Sequence, residues 1–458
     1  MGVEEARHLL NRTGFDACLA EVNAFAPLDR RQAVEKLLGA ARTAALTPAP
    51  EGVAAWTPPY VLRQMSGDER KLFVREQVER GLALKGWWLM EMLTTDSPLT
   101  ERMTLFWHNH FTSSLQKVRA SGLMYRQNAL LRRHALGGFA EMLRAAAKDP
   151  AMLVYLDSAS NRRGQPNENF AREVMELFTL GEGKYGEGDI KEAARAFTGW
   201  SIDPANGEFL WRPFQHDGGM KTVLGRSGDF QGDDVIDILL EQPATAEFVV
   251  GKLWKEFVSP QPDPAEVARI ARVFRGSGYQ IKPALRELLL GAAFWAPENR
   301  GALVKSPVDL VVGTLRQFDI AFADPLPFVL LLRNLGQDIL SPPNVKGWPG
   351  GEAWIDTRTL LARKQFLERL MRVDETRMAA PAMERNADAP MARRYARAML
   401  DLRFSAQDWL KPYEGREDAV TMVLLPLAPS KEAAPAQGGE RRFDSVRALV
   451  SDPVYQLK

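Results

Sequence analysis

The chain has 458 residues, a formal net charge of +1 and 26% charged residues, so bulk electrostatics gives no reason to expect a nucleic-acid or anionic-membrane partner. A hydrophobic content of 45% supports a sizeable core, built as one large helical unit or a few domains. The single cysteine, Cys18, excludes an internal disulfide and any multi-thiolate metal site, leaving His, Asp and Glu as the only metal donors.

The opening MGVEEARHLLNR lacks the charged-then-apolar layout of a signal peptide, and position 6 is Ala where a myristoylation signal needs Ser or Thr. The chain therefore reads as cytoplasmic, although removal of a leader would leave the same reading. No apolar run approaches the ~20 residues that span a bilayer. EARHLLNRTGF predicts a short helix ending at Gly14, and a second helix follows near 29–42. TPAPEG and TPP then mark a loop. SGDERKLFVREQVERGLALKGWWLMEML opens with Ser66 as a cap and is apolar at helical spacing. Ser97-Pro98 starts the next helix. Further helices are predicted near 122–147, 168–180, 189–198, 233–241, 244–257, 264–274, 282–291, 306–318, 325–334 and 356–372.

One stretch departs from the helical pattern. GEFLWRPFQHDGGMKTVLG alternates apolar residues on both sides of His216-Asp217-Gly218-Gly219, which predicts a small β-hairpin over about 208–224. Pro213 confines its first strand to an edge. The fold class expected is thus mainly α, one large multi-helix domain with a β-hairpin insertion. The main domain is placed at 1–372, an irregular insertion or flexible helical segment at 373–440, and a C-terminal helix returning to the main domain at 441–458.

FWHNHF puts His108 and His110 two positions apart. On a helix stepping about 100° per residue, Leu99, Met103, Phe106, Trp107 and His110 share a face, and His108 falls almost opposite. The two rings diverge and cannot grip one ion. A nuclease reading of His-Asn-His fails too, because no ββα context surrounds it. His110 lies in the apolar stripe, either as a core histidine bonded to a backbone carbonyl or as a functional group.

NENFAREVMELFTLGEG supplies the chemistry-bearing carboxylates. Asn167 caps a helix whose Phe170, Val174, Leu177 and Phe178 form the core face. Glu168, Arg172 and Glu176 stand four apart as an ion-pair ladder. Glu173 has only Asn169, Phe170, Glu176 and Leu177 as helical neighbours, so no local cation faces it. Burying it costs several kcal/mol unless it finds a distant cation, a proton or a metal. The next helix, DIKEAARAFTGW, begins with a capping-box pair, Asp189 and Glu192, and Arg195 is placed to reach Glu173.

Three loops complete the candidates. His216-Asp217 can bind a metal, shuttle protons or merely form a turn. LGRSGDFQGDD is no phosphate loop, and Asp233 is expected to cap the following helix. PPNVKGWPGGEAW presents Asn344, Lys346 and Trp348, which suits a sugar or other ring, although Trp348 can equally plug a core edge.

ARHLLNRTGF, ERMTLFWHNHF, MLVYLDSASNRRGQPNENFAREVMELFTLGEGKYGEGDIKEAARAFTGW, FQHDGGMKTVLGRSGDF, LVKSPVDLVVGTLRQFDI and PNVKGWPGGEAWI together resemble the bacterial domain-of-unknown-function family numbered 1800. The resemblance runs from about residue 6 to 372 and resumes at VRALVSDPVYQLK. It implies a predominantly helical fold and supplies no reaction.

Two functions stay open. In one, His110, Glu173, Glu176 and Arg195 are the catalytic groups of a hydrolase-like cleft, with Asn344, Lys346 and Trp348 binding substrate. His216 and Asp217 would then hold a divalent metal ion, if one assists. In the other, the polar cluster only fixes helix packing in a binding or assembly protein. The partner is correspondingly a small molecule, a sugar or another protein.

Overall fold

The computed structural model describes residues 1–372, 390–430 and 439–458. These residues are mainly α-helical, with two small antiparallel two-stranded sheets inserted between helices. One hydrophobic core runs continuously from Ala6 in the first helix, Val3–Thr13, to Tyr455 near the end of the chain. Both end segments are tied into the body: Lys458 N–H donates to the carbonyl of Leu303 at 2.8 Å, and Arg7 in the first helix donates to the Pro426 carbonyl. Among the described residues no helix is long and apolar enough to cross a membrane.

The long helix Gly67–Thr94 starts as its sequence dictates. The Ser66 side chain accepts from Glu69 N–H, and the Glu69 carboxylate accepts from Ser66 N–H. Its second half is buried through Leu84, Trp88, Leu89 and Met92, whereas Leu72, Val74 and Val78 in its first half stay exposed. The FWHNHF helix, Pro98–His110, carries Pro98 in its first turn and sits at the centre of the core, with Trp107 fully enclosed. Burying a ring of that size contributes about 2–3 kcal/mol.

Two helix starts differ from expectation. The helix containing Arg195 begins at Glu187, so Asp189 is its third residue and accepts from Gly186 N–H. Asp233 likewise lies inside Gly232–Glu241, where Asp234 closes the cap on Gln231 and Asp233 pairs with Lys148. In both, a carboxylate one turn in satisfies the free N–H, so no polar cap is needed before it.

The β insertion is present, but its pairing is divided. β1 (Trp200–Ile202) pairs with β2 (Phe209–Trp211), and β3 (Lys221–Val223) pairs with β4 (Arg226–Gly228). Leu224 and Gly225 both have positive φ, 48° and 78°, which gives β3 a tight two-residue turn to its own neighbour. Pro213 opens a 3₁₀ turn, Pro213–Gln215, that carries the chain away from β2 instead of pairing it across His216.

The expectation for 373–440 falls partly on 373–389 and 431–438, which lie outside the described residues. The described parts hold helices Pro390–Leu400, Ala406–Leu410 and Glu417–Leu424. They touch the main body: Trp409 stacks on Phe318 at 4.7 Å, and Leu402, Leu424 and Leu425 join the core.

Candidate functional site

At the end of the FWHNHF helix three consecutive side chains hold three different elements. The His108 ring is enclosed between Trp88, edge-on at 5.5 Å, and Trp348 at 5.7 Å. Burial, with a smaller contribution from Lys85, holds its pKa down at about 3, so it is neutral. Asn109 clamps the glycine-rich loop: its Oδ1 accepts Trp348 N–H at 2.7 Å, and its Nδ2 donates to the Trp348 carbonyl at 3.5 Å. Gly347 makes that approach possible, because at φ 81° a Cβ there would lie 2.1 Å from Asn109 Oδ1. His110 contacts the Phe178 carbonyl through Nε2 at 3.1 Å and Lys252 Nζ through Nδ1 at 3.1 Å. A carbonyl only accepts and an ammonium only donates, so the proton is assigned to Nε2 and the ring is neutral. Burial, then Lys252, keeps its pKa well below the usual histidine range.

The element that His110 holds is a widened helix. Glu168–Glu173 is α-helical, and Val174–Leu180 continues it as a π-helix. Thr179 Oγ1 donates to the Val174 carbonyl five residues back at 2.7 Å. The last carbonyls are satisfied from outside, Phe178 by His110 and Leu177 by Lys252 at 3.2 Å. π-turns of this kind recur at functional sites.

On the outer face of this helix Glu173 is half-buried, and no described residue gives it a hydrogen bond or an ion pair. Desolvation raises its pKa, and the neighbouring charge of Glu176 adds to the effect. Glu176 accepts the Tyr185 hydroxyl, so it cannot turn toward Arg172, which pairs with Glu187 at 2.8 Å. The ladder expected for Glu168, Arg172 and Glu176 survives only as a 3.6 Å contact between the first two. Lys346 stands over this acidic face, ion-paired with Glu182 at 3.1 Å and close enough for its charge to act on Glu173 and Glu176. Asn344 shapes the turn that presents it, its Oδ1 accepting Lys346 N–H at 2.9 Å. Trp348 is buried against His108, not offered to solvent.

Arg195, His216 and Asp217 form a separate cluster. Arg195 does not reach Glu173. Its guanidinium binds both Asp217 oxygens, at 2.8 and 3.1 Å, and Glu192 at 2.8 Å. Glu192 stands one turn back on the same helix and Asp217 on the adjoining loop, so both out-compete a carboxylate on the neighbouring helix. Arg195 draws the Asp217 pKa down to about 2. His216 rests on Trp211 at 5.0 Å, with Nδ1 against the Thr198 carbonyl at 3.0 Å. The Asp217 carboxylate is thus committed to Arg195, while His216 Nε2 is buried and makes no hydrogen bond among the described residues. Among the described residues no three His, Cys, Asp or Glu side chains converge to hold a metal ion.

The model of a family described as a protein of unknown function, DUF1800, matches residues 8–457. The chain belongs to the DUF1800 family. No curated protein and no solved structure matches it.

Several groups that shape the site in this DUF1800 protein escape a sequence reading. Lys252 and Asn109 lie far in sequence from the His110 ring and the Trp348 loop that they hold, Tyr185 follows Glu176 by nine residues, and none of these spacings carries a motif. The π-turn leaves one trace, Thr179 five residues after Val174, which is too common a spacing to read. Asp149 is the clearest omission. It caps Pro150–Tyr155, accepts from Gln127 at 2.9 Å and is fully buried, which pushes its pKa up to about 7. Asp before Pro is a helix-start pattern, but it carries no sign of burial.

Proposed function

We propose that this protein acts by proton transfer at Glu173, in a hydrolase-like reaction on a polar substrate. One observation carries the reading: a half-buried carboxyl with no described partner stands beside a second carboxyl already fixed by a tyrosine. When neighbours push paired acids apart in this way, one can hold a proton while the other stays oriented. Glu173 is the general acid, giving its proton to a leaving group and recovering one from water. Glu176, steadied by Tyr185, orients that water. Lys346, exposed above them, offers a cation to developing negative charge. His110 and Trp348 build the platform beneath, and Arg195, Asp217 and His216 brace its border. A metal-assisted version would need a further donor beside the two carboxylates, and no described residues form such a group.

A second reading, a binding or assembly protein with structural polar groups, also has an observation behind it. His110, Arg195 and Asp217 all spend their polar atoms on internal contacts. The two are separated by assaying p-nitrophenyl esters, phosphates and glycosides with wild type, Glu173→Gln and Tyr185→Phe. Proton transfer predicts turnover of one class, falling about 100-fold or more in Glu173→Gln at an unchanged melting temperature. Turnover that survives Glu173→Gln, or a variant that melts well below wild type, favours the structural reading.

A further inference from the structure

Among the described residues, nothing packs along one face of the first half of the long helix Gly67–Thr94. Arg70, Val74, Val78 and Leu82 form one row of every fourth residue, and Phe73, Gln77, Gly81 and Lys85 form the next. Together they make one wall of an open trough of about 950 Å³. Leu62 in the short helix Pro59–Gln64, Leu115 and Val118 in Leu115–Val118, and Leu123 add apolar lining opposite it, with Trp56 and Val154. Val74 and Val78 in the trough wall are 57% and 58% exposed. Isolated exposed aliphatics are ordinary, but a contiguous set lining a concave surface marks an interaction site.

The charges around the trough are one-sided. Arg63, Arg70, Arg119 and Arg333 line it, and none is ion-paired with a described carboxylate. Arg70 and Arg119 donate only to backbone carbonyls, those of Leu62 and Gln116. The sole acidic residue in the lining, Asp338, is already engaged by Lys85. The guanidiniums are also spread out. Arg63 and Arg70 stand at one end of the helical stripe, and Arg333 acts on Lys85 at the other. At 1.5 Å per residue the stripe from Arg70 to Lys85 runs about 22 Å.

We propose that this trough is the docking site for an amphipathic α-helix with acidic flanks, carried by a partner protein. Two parallel rows at i+4 spacing are ridges that accept the ridges of another helix. An apolar stripe of about four turns would fill the floor, and Glu or Asp on its borders would meet the free guanidiniums at both ends. A single-headed amphiphile would leave one end of the charge unmatched. The site is independent of Glu173.

The probe is an 18-residue fluorescent helix with Leu at i, i+3, i+4 and i+7 and Glu on both borders, compared with the same helix bearing Lys. Anisotropy should show saturable binding of the Glu peptide at least tenfold tighter than the Lys peptide. Val78→Asp, a change at an exposed site, should weaken it at least tenfold with no change in melting. Arg70→Glu combined with Arg333→Glu should reverse the preference, and Glu173→Gln should leave it alone. Equal binding of the two peptides, or indifference to Val78→Asp, overturns the proposal. So does concentration-dependent dimerisation that the Glu peptide cannot compete, which would assign the trough to a second copy. Binding to phosphatidylglycerol vesicles without binding to the peptide assigns it to lipid and overturns it equally.

Discussion

Around Asp309 the buried carboxylates are paired directly with cations, and around His110 the buried polar groups are neutral or unmatched. Asp309 accepts from Arg102, from Lys458 at 2.9 Å and from Ser306 N–H at 2.9 Å. Arg102 also reaches Glu256 at 3.1 Å and the Gly14 carbonyl. Nearby, Lys305 binds Asp16 at 2.6 Å with its ammonium over the Tyr455 ring. Together these groups tie the first helix, the helix Pro307–Gln317 and the chain's last residues into one network. Across the core, by contrast, His108 and His110 are held neutral, Lys252 has a histidine and a carbonyl in place of a carboxylate, and Asp149 is lifted to about 7. Where the charges are paired, their attraction offsets the desolvation and the contacts are structural. Where they are not, the fold pays desolvation without a counter-charge, and such places can still do chemistry.

The sharpest way to break the balanced side is Asp309→Asn. It leaves Arg102 and Lys458 buried without their main counter-charge, and should lower stability by about 3–5 kcal/mol in chemical denaturation. Lys252→Met removes a charge that has no carboxylate to lose, and should cost about 1 kcal/mol, the scale of its hydrogen bonds. If the two variants lose equal stability, the contrast between the regions fails.

Acid should separate the same regions. His8, His108 and His110 are all depressed by burial, the first two to about 3. The unfolded chain binds protons at these rings below about 6.5, and the folded one does not. The stability they contribute is therefore complete above 6.5 and is lost as pH falls toward 3, by at most about 1.4 kcal/mol per ring per pH unit. Asp309, held far below the ordinary carboxylate range by Arg102 and Lys458 against the cost of burial, adds a loss only below about 3.8. Urea titrations from pH 7 to 5 should show the early slope, and His8→Gln should flatten it. A wild-type stability that stays flat until pH 4 would mean that these rings are charged or exposed.

The helical build was legible because helices announce themselves locally. Ser66 with Glu69, Pro98 and Asn167 each place a helix start within one turn of sequence. Glu173 was legible for the same reason, since its lack of a cation follows from its i±3 and i±4 neighbours. Lys346 was visible as a polar residue on a glycine-rich loop, but not its position above Glu173. That position depends on Asn109, 237 residues away in sequence, holding the loop at Trp348. Arg195 shows the converse failure. Its face of the helix pointed toward Glu173, but two nearer carboxylates claimed it. Partner choice among several carboxylates is decided by distances of a few ångströms, which a helical wheel does not contain.

The smallest expected effect is the one most informative about Glu173. Its pKa is raised, so the folded chain holds this proton more tightly than the unfolded one. By linkage, the stability tied to this group is complete below about 4.5 and is lost as pH rises through the folded value. The direction is opposite to that of the histidines. Glu173→Gln keeps the shape and removes the titration, so above that window the variant should equal or exceed wild type by up to about 1 kcal/mol. The effect stays small because the carboxyl is half-exposed and water screens much of the penalty. Arg172→Gln leaves Glu173 in place but removes a cation whose charge favours its ionised form, and should widen the gap between Glu173→Gln and its parent. Urea unfolding at pH 4 and pH 8 measures both. If Glu173→Gln were instead less stable than wild type at pH 8 by more than 1 kcal/mol, the carboxylate would be stabilising the fold through a partner, and the contrast between matched and unmatched regions would lose its surface example.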